Sequence, residues 1–329
     1  MTRNTLEWLE RSLTQHAQKF LSHILVVVRI AAFAATLAFL LNQVADIGWD
    51  RVRQSCPTNP IFYAVFLFWY LLLPVADTVI HSYLWRKNLW PYFYVFAMKK
   101  VYNFAVLGYS GEAYLYAWAR TKISLPDGRA FSVVKDNAIL SAMASNCLTI
   151  VLIAAAFIIA GPQLRLLTLP DVTQPFILAL GAGVLIMILA TVLRRYIFAL
   201  TLPETCMVLW LHTSRSILML LLQAILWWFV APTVALEVWL LFAALYLGFH
   251  RLPFLPNSDL IFMALSVGLA PSLVAPQDEV TAVMIVTGAL TQLTHALVFV
   301  FGLLAHLGHR RYAFAKSQDF DVGEQVSRS

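Results

Sequence analysis

Lys99 and Lys100 stand side by side, Asn103, Gly108, Gly111 and Glu112 follow, and Arg120 closes the same run. Those types point to an anion. A lysine binds phosphate as a point charge, and an arginine adds further donors. Glycines permit backbone conformations that other residues avoid. Glu112, set between aromatics and glycines, could orient a cation or bind an amine. The plainer reading of this run is a solvated cytoplasmic loop with ordinary membrane anchors.

A second group is Arg251, Pro253, Pro256, Asn257, Ser258 and Asp259. Asn257 or Ser258 could cap a following helix, and Asp259 would favour its N-terminal dipole. A helix N-terminus inside a membrane is also an anion site, although capping alone explains the same residues. If the two groups form one site, Glu112 and the turn at residues 253–259 should face a common cavity. Asp136, between Lys135 and Asn137, is a further candidate ligand; capping beside a snorkelling lysine is its plainer role. Asp77 and Pro74 interrupt an apolar run. An aspartate there costs about 3 kcal/mol on insertion scales, so it should face protein or water. His212 and Arg215 lie on adjacent turns of one apolar segment, and Gln292 and His295 near the middle of another.

The chemistry that these residues exclude is as useful. No histidine pair has metal-ligand spacing, so no metal or other cofactor is expected. There is no GxSxG, Walker loop or kinase set, which argues against an enzyme of those classes. Pro126, Asp127 and Gly128 have turn chemistry. Cys56, Cys147 and Cys206 lie far apart and form no CxxC pair, so neither a disulfide framework nor zinc is expected.

The elements that must position these groups are membrane helices. The chain of 329 residues is 60% hydrophobic and only 12% charged, with mean hydropathy +0.75; a soluble domain carries about a quarter charged residues. The net charge of +6 collects at the ends of apolar runs in the positive-inside pattern, not in a tract that would suit nucleic acid. The expectation is an all-α, polytopic integral membrane helical bundle with about eight membrane segments, some broken or re-entrant. Residues 1–22 read as an amphipathic cytoplasmic helix, 23–308 as one transmembrane domain and 309–329 as a polar cytoplasmic tail, disordered from Ser317. Spans are expected near residues 23–41, 60–84, 137–160, 175–193, 207–230 and 280–307. Shorter pieces fall at 92–98, 234–249 and 261–273, the first re-entrant or interfacial, the last two either full spans or a broken pair. Residues 200–204 read as a break at Pro203. A faint internal echo sets the interrupted stretch before residue 160 against that before residue 307, the usual pointer to a transporter site.

The stretches YNFAVLGYSGEAYLYAWAR (residues 102–120) and RLPFLPNSDLIFMALSVGLAP (residues 251–271) resemble the lysylphosphatidylglycerol synthase transmembrane region, also called the flippase-like membrane domain family. Asn103, Gly111 and Glu112 fit its first motif. Ala113 and Tyr114 stand where arginine often follows, and Asn257, Ser258 and Asp259 stand where a Gly-Gly turn and Glu are usual. The resemblance implies a helical bundle that binds and translocates an anionic lipid or a lipid-linked glycan in a bacterial inner membrane; the count of membrane pieces and the positive-inside pattern put both termini in the cytoplasm. The resemblance also leaves room for a homo-oligomer or an envelope-biosynthesis partner. Lys100, Asn103, Gly111, Glu112, Arg120, Asp136, Arg251 and Asp259 would bind the substrate. A membrane-embedded transferase and a scaffold subunit are the competing classes.

Overall fold

The structure is a computed structural model that describes residues 56–123, 125–126, 128–160, 192–250, 258–273 and 275–327, with isolated positions elsewhere. Among them every regular element is helical and no strand occurs. The amphipathic segment 1–22, the span at 23–41 and most of that at 175–193 lie outside the described residues.

Helix α1, Pro60–Trp85, starts where the sequence places it. The Asn59 side chain accepts from the Ile61 N–H at 3.0 Å, and Pro60 occupies the first turn, where its missing N–H costs nothing. Arg86, in the left-handed region at φ 53°, ends it. Next comes a broken pair. Helix α2 is Phe93–Val101, a π-helical turn covers Tyr102–Val106, and α3 is Ser110–Lys122. At 1.5 Å per residue α2 and α3 are about 14 and 20 Å long, short of a hydrocarbon core of about 30 Å. The expected short piece is thus two helices joined by an irregular corner.

Helix α4, Arg129–Ala160, begins eight positions before the span expected from Asn137. The reason is local: Gly128 adopts φ 76°, and the Arg129 N–H closes the Pro126 turn at 3.1 Å, so helix follows at once. Helix α5 is Leu202–Val230. Pro203 does not break it, because it lies in the first turn behind a complete capping box between Thr201 and Glu204. Helix α6 is Leu236–Phe249 and α7 is Ser258–Leu269, followed by a 3-10 turn, Ala270–Leu273. These are about 21 and 18 Å long, again short of a span. Helix α8, Gln277–Ser327, continues through the tail that the sequence predicts to be disordered. No proline interrupts it, and its alanine, lysine, glutamine and glutamate are good helix formers.

Among the described residues three helices are long and apolar enough to cross a membrane: α1, α5 and the part of α8 covering Gln277–Gly302. They fit an integral membrane protein; eight segments are not reached among the described residues. The distribution of polarity agrees. Ile61, Leu67 and Phe68 on α1, Trp210 and Leu221 on α5, and Leu293, Leu297 and Phe301 on α8 are exposed, whereas Asp77, Lys99, Lys100, Arg215, Asp259 and His295 are buried. Lipid rewards that arrangement, because the hydrocarbon exterior favours apolar side chains and polar groups must find partners inside.

Helix α5 is the central post and packs on α1, α4, α6 and α8, while α2 packs on α1, α3 and α8. One apolar core gathers the end of α1 with α2, α3, the start of α4 and the start of α5. Another gathers the end of α5 with α6, α7 and the start of α8. A smaller one joins Phe62, Phe66 and Tyr70 of α1 to Leu226 of α5 and Val286 of α8. The corner after α2 touches α7, so the two sets of short helices meet.

Candidate functional site: a buried charged seam

The seam is built from α1 outward. Pro74 has no N–H to give to the carbonyl four residues earlier, that of Tyr70. In a membrane helix that carbonyl must find another donor. Lys100 supplies it, with Nζ 2.8 Å from the Tyr70 oxygen. The ammonium also lies 3.8 Å from the Tyr70 ring centroid and 4.8 Å from that of Trp69. Lys100 is 3% exposed, so it is not the solvated anchor of the plainer reading.

One residue earlier on α2, Lys99 is 4% exposed. Its Nζ donates to Asp77 Oδ2 at 2.7 Å and lies 3.3 Å from Glu112 Oε1. Asp77 therefore faces protein. Its own carbonyl accepts from His81 Nδ1 at 2.8 Å. Consecutive lysines point to different partners because neighbours on a helix are about 100° apart: Lys99 serves the far half of α1 and α3, and Lys100 the proline break.

On the other side, Asp259 Oδ1 accepts from the Tyr246 hydroxyl at 2.8 Å and lies 2.8 Å from His250 Nε2. Oδ2 lies 3.5 Å from His295 Nε2. His295 Nδ1 is 2.6 Å from the Tyr70 hydroxyl. The Phe104 ring, on the π-helical corner, lies beside both imidazoles, at 5.2 Å from His250 and 6.5 Å from His295. Glu112 and Asp259 are thus joined through the adjacent lysines of α2: Glu112 by Lys99, and Asp259 through His295 and Tyr70 by Lys100.

The remaining sequence candidates fall in different places. The Asn103 side-chain oxygen accepts from the Gly111 N–H at 2.7 Å, and the Ser110 hydroxyl donates to the Tyr102 carbonyl; both bonds stitch α2 to α3. A Cβ on Gly111 would lie 2.2 Å from the Lys99 carbonyl oxygen, so only glycine allows that approach. Gly111 and Asn103 build the corner that presents Lys99 and Glu112. Arg120 is exposed and lies 5.7 Å over the Tyr116 ring, two helical turns from Glu112. Asp136 is buried away from the seam, where Oδ2 accepts from the Ala199 and Leu200 N–H groups at 2.7 and 3.0 Å and Oδ1 lies 3.1 Å from Lys135. It caps the chain entering α5, not the start of its own helix. Arg251 and the prolines after it lie outside the described residues.

No family model, curated protein or solved structure matches this chain. The family resemblance therefore rests on the two stretches quoted above, and the site rests on its own geometry.

The other polar residues of α5 belong to the same interior. His212 Nε2 lies 2.9 Å from Asn137 Oδ1, and Arg215 donates to the Ser141 hydroxyl at 3.3 Å. Arg215 is 6% exposed, so it points inward and does not snorkel. Tyr70, Tyr246 and His250 escape a reading of the sequence alone. For Tyr70 a signal existed: it is the residue four before a proline in a span, whose carbonyl must be served by another element. Tyr246 and His250 look like an aromatic and a terminal histidine of a short apolar helix, with nothing local to mark them.

Among the described residues no cluster suits a metal ion. Lys99, Lys100 and Arg215 equal Asp77, Glu112 and Asp259 in number; Lys99 is held by two of those carboxylates, whereas Lys100 donates to the Tyr70 carbonyl and Arg215 to the Ser141 hydroxyl.

Proposed function

We propose that this chain is a flippase-like membrane transporter that binds and translocates an amphipathic lipid or lipid-linked glycan with an anionic headgroup. One observation carries the reading: two sets of helices too short to span meet at a buried seam of balanced charges, inside a bundle whose outer faces are apolar. Ionisable groups inside a membrane mark substrate or ion pathways, and interrupted helices set transporter sites near the midplane. The headgroup phosphate displaces Asp77 or Glu112 from Lys99, or draws on Lys100 or Arg215, while the tails stay in lipid. The protein then has to shield only the polar part. In the same reading it sits in a bacterial inner membrane with both termini cytoplasmic, alone, as a homo-oligomer or beside an envelope-biosynthesis partner. Native mass spectrometry of the protein released from membranes tests the substrate class. The expected result is a co-purified anionic lipid or lipid-linked glycan; a protein that retains no such lipid, and takes up none when it is added, contradicts it.

A second reading, a membrane-embedded transferase, is favoured by one feature. Glu112 Oε2 is buried with no hydrogen-bond partner among the described residues, as a carboxylate held for proton abstraction would be. Turnover of a lipid substrate that Glu112→Gln abolishes, with the fold intact, would select it.

A further inference from the structure

The geometry around Asp259 requires a proton. His250 Nδ1 lies 2.8 Å from the Tyr246 carbonyl oxygen. A carbonyl only accepts, so Nδ1 carries hydrogen. The other ring nitrogen, Nε2, lies 2.8 Å from Asp259 Oδ1. A neutral imidazole with hydrogen on Nδ1 would set a lone pair against a carboxylate oxygen at that distance. The contact holds only if His250 is an imidazolium or Asp259 a carboxylic acid. His295 does not require this proton: a neutral ring accepts at Nδ1 from the Tyr70 hydroxyl and turns Nε2–H toward Asp259 Oδ2 at 3.5 Å.

We propose that His250 and Asp259 share one proton that is taken up together with the anionic headgroup, which makes the transporter a proton–lipid symporter. The inference rests on the translocation reading above. Without the shared proton the seam is neutral, three cations against three carboxylates. With it the seam carries one surplus positive charge, which a single anionic headgroup completes. Seven of the helices contribute a group to this balance, and α4 adds only the neutral Asn137 and Ser141 beside His212 and Arg215. Tyr246 and His250 come from α6 and its end, Asp259 from α7, His295 from α8, Tyr70 and Asp77 from α1, Lys99 and Lys100 from α2, Glu112 from α3 and Arg215 from α5. Arg215 acts on Lys100 electrostatically. Release transfers the proton from Nε2 or Oδ1 to water, and no other bond is made or broken. Loss of the proton also removes the His250 tie between the end of α6 and the start of α7 and leaves the Tyr246 hydroxyl as the bond between them.

Two measurements on the full chain test this. In lipid nanodiscs, nitrogen-15 histidine spectra followed against pH read the site itself. The expected result is one ring whose bound proton is lost more readily in Asp259→Asn and held more tightly in Tyr246→Phe, which keeps the shared proton but removes a donor that steadies the ionised carboxylate. Histidine spectra that neither variant alters overturn the shared proton. In phosphatidylcholine vesicles made acidic outside, a trace of fluorescent phosphatidylglycerol reads the coupling. One proton per lipid against one pH unit drives its inner-to-outer ratio up to about tenfold above that without a gradient; Asp259→Asn shows no such rise, and neither does a zwitterionic fluorescent phosphatidylcholine. Label that crosses at a ratio indifferent to the gradient overturns the symport and leaves translocation standing. No crossing at all, with the histidine shift present, overturns translocation and upholds the proton site.

Discussion

Lys100 donates to the carbonyl of Tyr70 at 2.8 Å, the one backbone oxygen of α1 that Pro74 cannot serve. A proline and a lysine on different helices are thereby one structural unit. Replacing Lys100 with Met leaves a buried carbonyl without a donor and should cost about 2 kcal/mol. In a Pro74→Ala background, the new N–H reaches Tyr70 and the same lysine substitution should cost less than half as much. Thermal unfolding of the four proteins in detergent measures the difference; equal costs in both backgrounds would show that the lysine serves something else.

Lys99 lies between two carboxylates, Asp77 and Glu112. Lys99→Met strands both and should destabilise by about 4 kcal/mol, as breaking a buried pair does. Asp77→Asn together with Lys99→Met removes one charge of each sign and should recover part of that loss, the remainder being the stranded Glu112. Unfolding midpoints decide it, and a double variant as weak as Lys99→Met would show that the ion pair is not the source of the cost.

Gly111→Ala places a Cβ on the Lys99 carbonyl and should prevent α3 from closing on α2, with loss of folded protein in detergent. Gly268→Ala in α7 meets no atom within 4 Å and should be neutral or stabilising by up to about 1 kcal/mol. Size-exclusion profiles and melting temperatures separate the two. Similar behaviour of both would mean that the corner tolerates a Cβ.

Cys147 is free and exposed on α4. If the outer faces meet lipid, its thiol stays protonated, so neither a lipophilic nor a charged maleimide should label it in intact membranes, and both should after denaturation. Ready labelling by the charged reagent would place that face in water.

Much of the frame was legible in the sequence. The apolar run from Pro60 carries its own cap in Asn59, so α1 emerges close to its expected limits, whereas the capping box at Thr201 and Glu204 starts α5 at Leu202, inside the stretch expected to be a break. The lysine pair, Glu112 and Asp259 stood out because charge amid apolar sequence is costly. Their partners did not. Lys99 and Asp77 are 22 positions apart and Tyr70 and His295 are 225 apart; such pairings are set by packing of whole helices and leave no local pattern. Asn103 and Gly111 looked like ligands because a tight helix corner and a binding loop call for the same residues. The partners of Asp136 were equally hidden, since a buried carboxylate can cap a distant chain end as well as its own.

Transfer of lipid between leaflets tests the central claim most directly. Vesicles holding the purified chain and a trace of fluorescent phosphatidylglycerol are exposed to dithionite, which bleaches only the outer leaflet. With the wild-type protein, label from the inner leaflet should become bleachable, and with the Asp77→Asn/Lys99→Met variant, folded but with the seam's exchangeable pair removed, it should stay protected. Inner label that stays protected with the wild type, or that crosses as fast with the double variant, would contradict a translocation route through the seam.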